Sequence, residues 1–222
     1  MIPEKSPIFA FDLDGTITRA EMLPRLAAEL NDAALEAEIV RLTAQTLSGE
    51  IPFRQSFRRR FAILNRLPLD AIQAVAKALP LDPDILEFIR KNRADCAVVT
   101  GNLDRWIEPL TARLGCRLFC SKALAGADGR LELGEILDKG EAMRALKADG
   151  RPVVAVGESA GDLAMFLEAD FSIAFAGLHE PAPALLGHAG KVCRSGKELC
   201  VFLEGLTSRP FSGAYPARSN RP

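Results

Sequence analysis

Apolar residues in this chain follow two rhythms. Short continuous runs, Ile8-Phe9-Ala10-Phe11, Cys96-Ala97-Val98-Val99, Pro152 to Val156 and Phe171 to Phe175, have the length and composition of strands buried on both faces. Longer stretches repeat apolar residues at helical intervals: residues 20–48, then Phe53, Phe57, Phe61 and Leu64, then Pro68 to about Leu79. The helical spacing returns over 82–92 after the Asp82-Pro83 start signal, and over 104–114, 139–148 and 160–168. Arg117 to Cys120 and Lys191 to Arg194 read as shorter strands, the second leading into a short helix ending near Leu203. Ala127-Asp128-Gly129-Arg130 reads as a hairpin turn between flanking strands.

Strands alternating with helices predict an α/β fold, a Rossmann-like parallel sheet with helices on both faces. Roughly eighty residues separate the first strand from the next strong one, far more than a crossover needs, so an all-helical module is inserted there. The expected organisation is a core of residues 1–16 and 82–206, a helical insertion of 17–81 and a tail of 207–222, where Ser, Pro, Arg and Gly replace core residues.

Composition narrows the partners. The chain has 222 residues, 48% of them hydrophobic, enough for one such domain with its insertion. Lys and Arg number 28 against 29 Asp and Glu, so the charge balance suggests neither a nucleic acid nor an anionic membrane. No apolar stretch reaches membrane-spanning length, and Glu4, Asp12 and Asp14 interrupt what a secretory signal would need as an apolar core. The five cysteines lack a Cys-x-x-Cys pair and only two His are present, which argues against a Zn site and for reduced, buried thiols in the cytoplasm.

The chemistry concentrates at strand ends, where ligands sit in parallel α/β sheets. Ile8 to Phe11 runs directly into Asp12-Leu13-Asp14-Gly15-Thr16. A carboxylate at the end of a buried strand is costly unless a cation pairs with it, so two acids there point to a hard-cation site and a nucleophile. Asp12 reads as nucleophile and metal ligand, Asp14 as general acid and base. Thr100, Gly101 and Asn102 offer a hydroxyl and backbone N–H groups as an anion cradle. Lys139 opens a helix against the macrodipole and is expected to bind phosphate, with Lys122 as the competing candidate. Glu158 and Asp162, four apart after another strand, add oxygen ligands suited to Mg²⁺. Each piece alone has an ordinary explanation as a cap or turn; their order and shared position at strand ends or helix starts is what argues for function.

That order resembles the haloacid dehalogenase superfamily of Mg²⁺-dependent phosphohydrolases over about residues 8–176, with its Asp-x-Asp-Gly-Thr motif complete at 12–16. The resemblance implies Asp12 as nucleophile, Asp14 as acid and base, Thr100 and Lys139 as phosphate ligands, and Asp12, the Asp14 carbonyl and Glu158 around the metal with Asp162 assisting. The insertion resembles the helical cap of phosphoserine phosphatases, which closes over substrate. By that likeness Glu21 meets the substrate ammonium, Arg60 its carboxylate, and Phe53 lines the pocket. The sequence departs from the pattern at Glu158, where the family has Asp, at Gly161, where it has an amide, and at Asn102, where phosphoserine phosphatases have Gly. Asn102 is expected to supply the missing amide donor. The implied function is hydrolysis of phosphoserine or a similar small phosphorylated metabolite. The core motifs leave open a phosphomutase, another phosphatase specificity (sugar phosphate, nucleotide, histidinol phosphate) and a non-catalytic binder of a phospho-ligand.

Overall fold

The computed structural model describes residues 6–127 and 130–207. In chain order the elements are β1 (Ile8–Phe11), α1 (Met22–Ala28), α2 (Ala33–Ser48), α3 (Phe53–Leu64), α4 (Leu69–Ala78), α5 (Pro83–Lys91), β2 (Cys96–Leu103), α6 (Asp104–Leu114), β3 (Arg117–Ser121), β4 (Ala123–Ala125) and β5 (Leu131–Leu133). They continue with α7 (Lys139–Lys147), β6 (Val153–Gly157), α8 (Leu163–Glu168), β7 (Phe171–Phe175), α9 (Pro183–Leu186), β8 (Lys191–Cys193) and α10 (Gly196–Thr207). Six strands form one parallel sheet in the order β3-β2-β1-β6-β7-β8, so the fold is α/β with a doubly covered sheet.

Alternation within each strand explains the two covers. Phe9, Phe11, Val98, Val154, Val156 and Ile173 face one core, shared with Phe88 of α5, Trp106 of α6 and Leu203 of α10. Ile8, Ala10, Ala97, Val99, Val153 and Ala155 face the other, shared with Met143 of α7 and Phe166 of α8. Phe88 packs edge-on to Phe9, ring centroids 5.3 Å apart, which seats α5 under β1.

Four helices, α1 to α4, fill the segment between β1 and α5. Its exit and return run side by side: Thr18 bridges Leu81, and the Asp82 N–H donates to the Ile17 carbonyl at 2.9 Å. The stretch expected as one helical run over 20–48 is broken, because Asn31 takes a left-handed φ of 53° and Asp32 caps α2 by accepting from the Ala34 and Leu35 N–H groups. Strand β2 continues through Thr100-Gly101-Asn102 to Leu103, with a register shift against β3 between Thr100 and Leu103. Helix α10 passes Leu203 to Thr207, since Leu206 is buried as well. The hairpin β4–β5 is antiparallel; Asp128 and Gly129 of its expected turn, and residues 208–222 of the expected tail, lie outside the described residues. Among the described residues no helix is long and apolar enough to cross a membrane. All five cysteines are free thiols.

Candidate active site

Strands β2, β1 and β6 are neighbours, so the polar residues at their C-terminal ends meet at one crevice. Asp12 follows β1, and its N–H donates to the Val156 carbonyl of β6 at 2.9 Å, which fixes the start of the loop. The loop then turns sharply at Gly15, φ 71°, with the Thr18 hydroxyl accepting from the Gly15 N–H at 3.3 Å and donating to the Ala20 carbonyl at 2.8 Å. A side chain at Gly15 is excluded twice: by the positive φ, and because a Cβ would lie 1.8 Å from Glu158 Oε1.

Asp12 is buried, and its Oδ1 accepts from Lys139 Nζ at 2.6 Å. The same ammonium donates to Asp162 Oδ1 at 2.6 Å. Asp162 is itself held by the turn after β6, its Oδ2 accepting from the Glu158 N–H at 3.1 Å, the Ser159 N–H at 2.9 Å and the Ser159 hydroxyl at 3.0 Å. Helix α7 delivers Lys139 because Asp138 caps it, accepting from the Gly140 and Glu141 N–H groups. Burial alone would lower the Lys139 ammonium, but Asp12 and Asp162 outweigh it and hold the group charged. Burial and the charge of Asp162 raise Asp12 to about 7 against the pull of Lys139. Asp14 is raised to about 8 by burial, Glu21 and Asp12, and Asn102 opposes that shift through its hydrogen bond. Glu158 is 2% exposed, neither of its oxygens has a hydrogen-bond partner, and burial with the nearby Glu21, Asp12 and Asp162 raises it to about 9.

Helices α2 and α3 form the opposite wall. Arg60 is 4% exposed and spends one N–H group on the Thr43 hydroxyl at 3.3 Å; Nε and Nη2 have no partner. Burial brings its guanidinium down to about 10 against the pull of Glu21 and Asp14. Its Cζ stands 5.9 Å from the centroid of the Phe53 ring. The Phe53 ring in turn lies on Gly101, where a Cβ would come within 2.1 Å of it. The space between the walls is a cavity of about 60 Å³ lined by Asp12, Asp14, Glu21, Phe53, Arg60 and Lys139 among others.

The structure brings Asp12, Asp14, Glu21, Phe53, Arg60, Thr100, Gly101, Asn102 and Lys139 to one cleft. Three details go beyond the sequence expectation. Asn102 gives one amide N–H to Asp14, Nδ2 to Oδ2 at 2.6 Å. Asp162 accepts from Lys139 through Oδ1 and from its own turn through Oδ2, so it positions the lysine. Lys122 lies apart from the cleft, exposed and 3.6 Å from Asp104. Residue spacing offers no sign of Ser121, whose buried hydroxyl donates to the Gly101 carbonyl at 2.7 Å and accepts from the Leu137 N–H at 3.1 Å, nor of Thr43 as the partner of Arg60. A lone Ser at a strand end carries no spacing signal. His179, in the loop after β7, reaches Glu21, Nε2 to Oε1 at 3.5 Å.

The family model for haloacid dehalogenase-like hydrolases matches residues 9–167. A phosphoserine phosphatase of Methanocaldococcus jannaschii is 30% identical over 214 residues, 90% of this chain and 98% of that protein. A phosphoserine phosphatase of Mycobacterium tuberculosis is 35% identical over 223 residues, 93% of this chain; the chain spans about half of that relative, 52% of its length. Among solved structures, a phospho-aspartyl intermediate analogue of phosphoserine phosphatase superposes with a TM-score of 0.76 at 29% identity, covering 90% of this chain and 99% of the other. The shared sheet, the loop after β1 and the extent of these likenesses lead to one conclusion: the chain belongs to the haloacid dehalogenase-like hydrolase family, on its phosphoserine phosphatase-like side.

Proposed function

We propose that the chain hydrolyses a small phosphomonoester through an aspartyl-phosphate on Asp12, with phosphoserine or a closely similar metabolite as substrate. The observation that carries this is the Asp12–Lys139–Asp162 bridge at the base of a cleft whose other wall presents the unpaired N–H groups of Arg60. The carboxylate of Asp12 attacks phosphorus in line with the departing oxygen. The bond from phosphorus to that oxygen breaks, and the oxygen takes the proton of Asp14, which burial keeps protonated near neutral pH. A water then gives a proton back to Asp14 and attacks the phosphorus, releasing phosphate and restoring Asp12. Lys139 and Thr100 hold the phosphoryl oxygens, Arg60 takes a substrate carboxylate in a fork, and Glu21 faces a substrate amine. Residues 17–81 act as a lid that excludes water, since the cavity is small and its far wall belongs to α2 and α3.

A divalent cation fits the site. Glu158 is a buried carboxylate with both oxygens unpartnered, beside Asp12, and such a group calls for a positive partner. Asp12, the Asp14 carbonyl and Glu158 would hold Mg²⁺. When bound, it supplies charge that keeps Asp12 ionised and offsets the phosphoryl oxygens. Five free thiols, four of them buried, favour a reducing, cytoplasmic setting.

The test is phosphate release from p-nitrophenyl phosphate, then from a panel of phosphorylated metabolites that includes phosphoserine, with and without Mg²⁺. Mg²⁺-dependent turnover is expected, with loss in Asp12→Asn while the fold is retained. Turnover that survives Asp12→Asn removes the nucleophile, and a preference for sugar phosphates or nucleotides removes the substrate assignment.

A further inference from the structure

We propose that, while no substrate amine faces Glu21, the side chains of Glu21, Glu158 and His179 form a second divalent-cation site beside the one described above, selective for a borderline transition metal such as Zn²⁺. The three side chains come from separate parts of the fold: Glu21 precedes α1, Glu158 follows β6, and His179 lies between β7 and α9. One ligand atom from each lies within 4.8 Å of the other two. Tetrahedral ligands bound to one Zn²⁺ at about 2.0–2.2 Å stand roughly 3.4 Å apart, so closing the set needs the side chains to move together by up to about 1.4 Å.

Two further observations separate this trio from an incidental group of acids. Glu158 is 2% exposed, and both its oxygens lack a hydrogen-bond partner, as does the buried Oε1 of Glu21. Unpaired buried carboxylate oxygens are expensive and require a compensating positive charge. The pair His179 Nε2 and Glu21 Oε1 stands at 3.5 Å, too long for a good hydrogen bond. The departure at Glu158 has a structural role in this arrangement. Its carboxylate lies across Gly15, which has no Cβ to obstruct it. A carboxylate with two unpartnered oxygens can serve a cation on each.

The donor set decides the metal. Mg²⁺ prefers oxygen ligands and retained waters, whereas an imidazole ligand favours a borderline metal such as Zn²⁺, which with three protein ligands keeps a fourth position for water. The His179 side chain is 42% exposed and provides the entry path.

The experiment is calorimetric titration of Zn²⁺ into the metal-free full chain with Mg²⁺ in large excess, and Co²⁺ absorption as a spectroscopic substitute. One Zn²⁺ per chain is expected to bind despite the Mg²⁺, and to persist in Asp12→Asn. Loss of a ligand exceeds the ~10–100-fold cost of losing a ligand's outer partner, so affinity should fall at least ~100-fold in His179→Ala and again in Glu21→Gln. The Co²⁺ spectrum should lack the intense near-ultraviolet band of thiolate ligation. No Zn²⁺ binding in Mg²⁺, binding that survives His179→Ala, binding lost in Asp12→Asn, or a thiolate band each overturns the proposal and leaves His179 and Glu21 as an ordinary imidazole–carboxylate pair. Hydrolysis of p-nitrophenyl phosphate in Mg²⁺ alone, on the same preparations, reports on the phosphatase reading separately.

Discussion

Gly15 is among the least replaceable residues of the site. Its φ of 71° and the 1.8 Å approach of Glu158 Oε1 to any Cβ mean that alanine both strains the loop and displaces a buried carboxylate. Gly15→Ala is expected to cost about 1–3 kcal/mol in a denaturant melt and to reduce Mg²⁺-dependent turnover sharply. Arg60 presents the opposite case. It is a buried cation with Nε and Nη2 unpaired, so it destabilises the free protein and is retained for what it binds. Arg60→Met keeps the volume and should leave stability at or above that of the parent. It should raise KM for phosphoserine about 10–100-fold, the worth of a hydrogen bond to a charged group. A fall in melting temperature with KM unchanged would mark Arg60 as structural.

At the scale of elements, the site depends on how helices start and how strands end. Lys139 is the first residue of α7, so its aim is set by the Asp138 cap. Asp138→Ala should cost about 1 kcal/mol of stability and lower kcat more than it changes KM, measurable by thermal melt and steady-state kinetics. Capping was legible at Asp82, where Asp before Pro is a start signal, but not at Asp32, which caps α2 inside a stretch of unbroken helical spacing. The break between α1 and α2 was not, because both halves carry the same apolar spacing and only the left-handed Asn31 parts them. The shift in β2 was also hidden: Thr100-Gly101-Asn102 looked like a strand end, but pairing of Leu103 with Ser121 continues the strand past it.

Across the whole molecule, aromatic packing joins the inserted helices to the sheet. Trp106 of α6 is fully buried, with its ring stacked on Phe61 of α3 at 5.7 Å and tilted against Phe57 at 6.4 Å. Phe53 and Phe57 stack at 5.2 Å and carry this packing to the cleft. Trp106→Ala should cost about 3–5 kcal/mol in a denaturant melt, and it should loosen α3, raising KM through Arg60 and Phe53. A stability loss with KM unchanged would show that α3 is held in place by other contacts.

Local chemistry was enough to read the class of fold and the floor of the cleft. Continuous apolar runs demand burial on both faces, and acids directly after such a run demand a positive partner, so Asp12 and Asp14 could be named from spacing, while the choice of Lys139 over Lys122 waited on the fold. Contacts between distant segments could not be read that way. Asn102 was within reach of more than one acceptor, Asp162 of a metal or a lysine, and His179 of nothing its neighbours in sequence suggested. Which partner each one takes depends on where separate strands and loops converge, because a buried polar group can pair only with what the fold brings within reach.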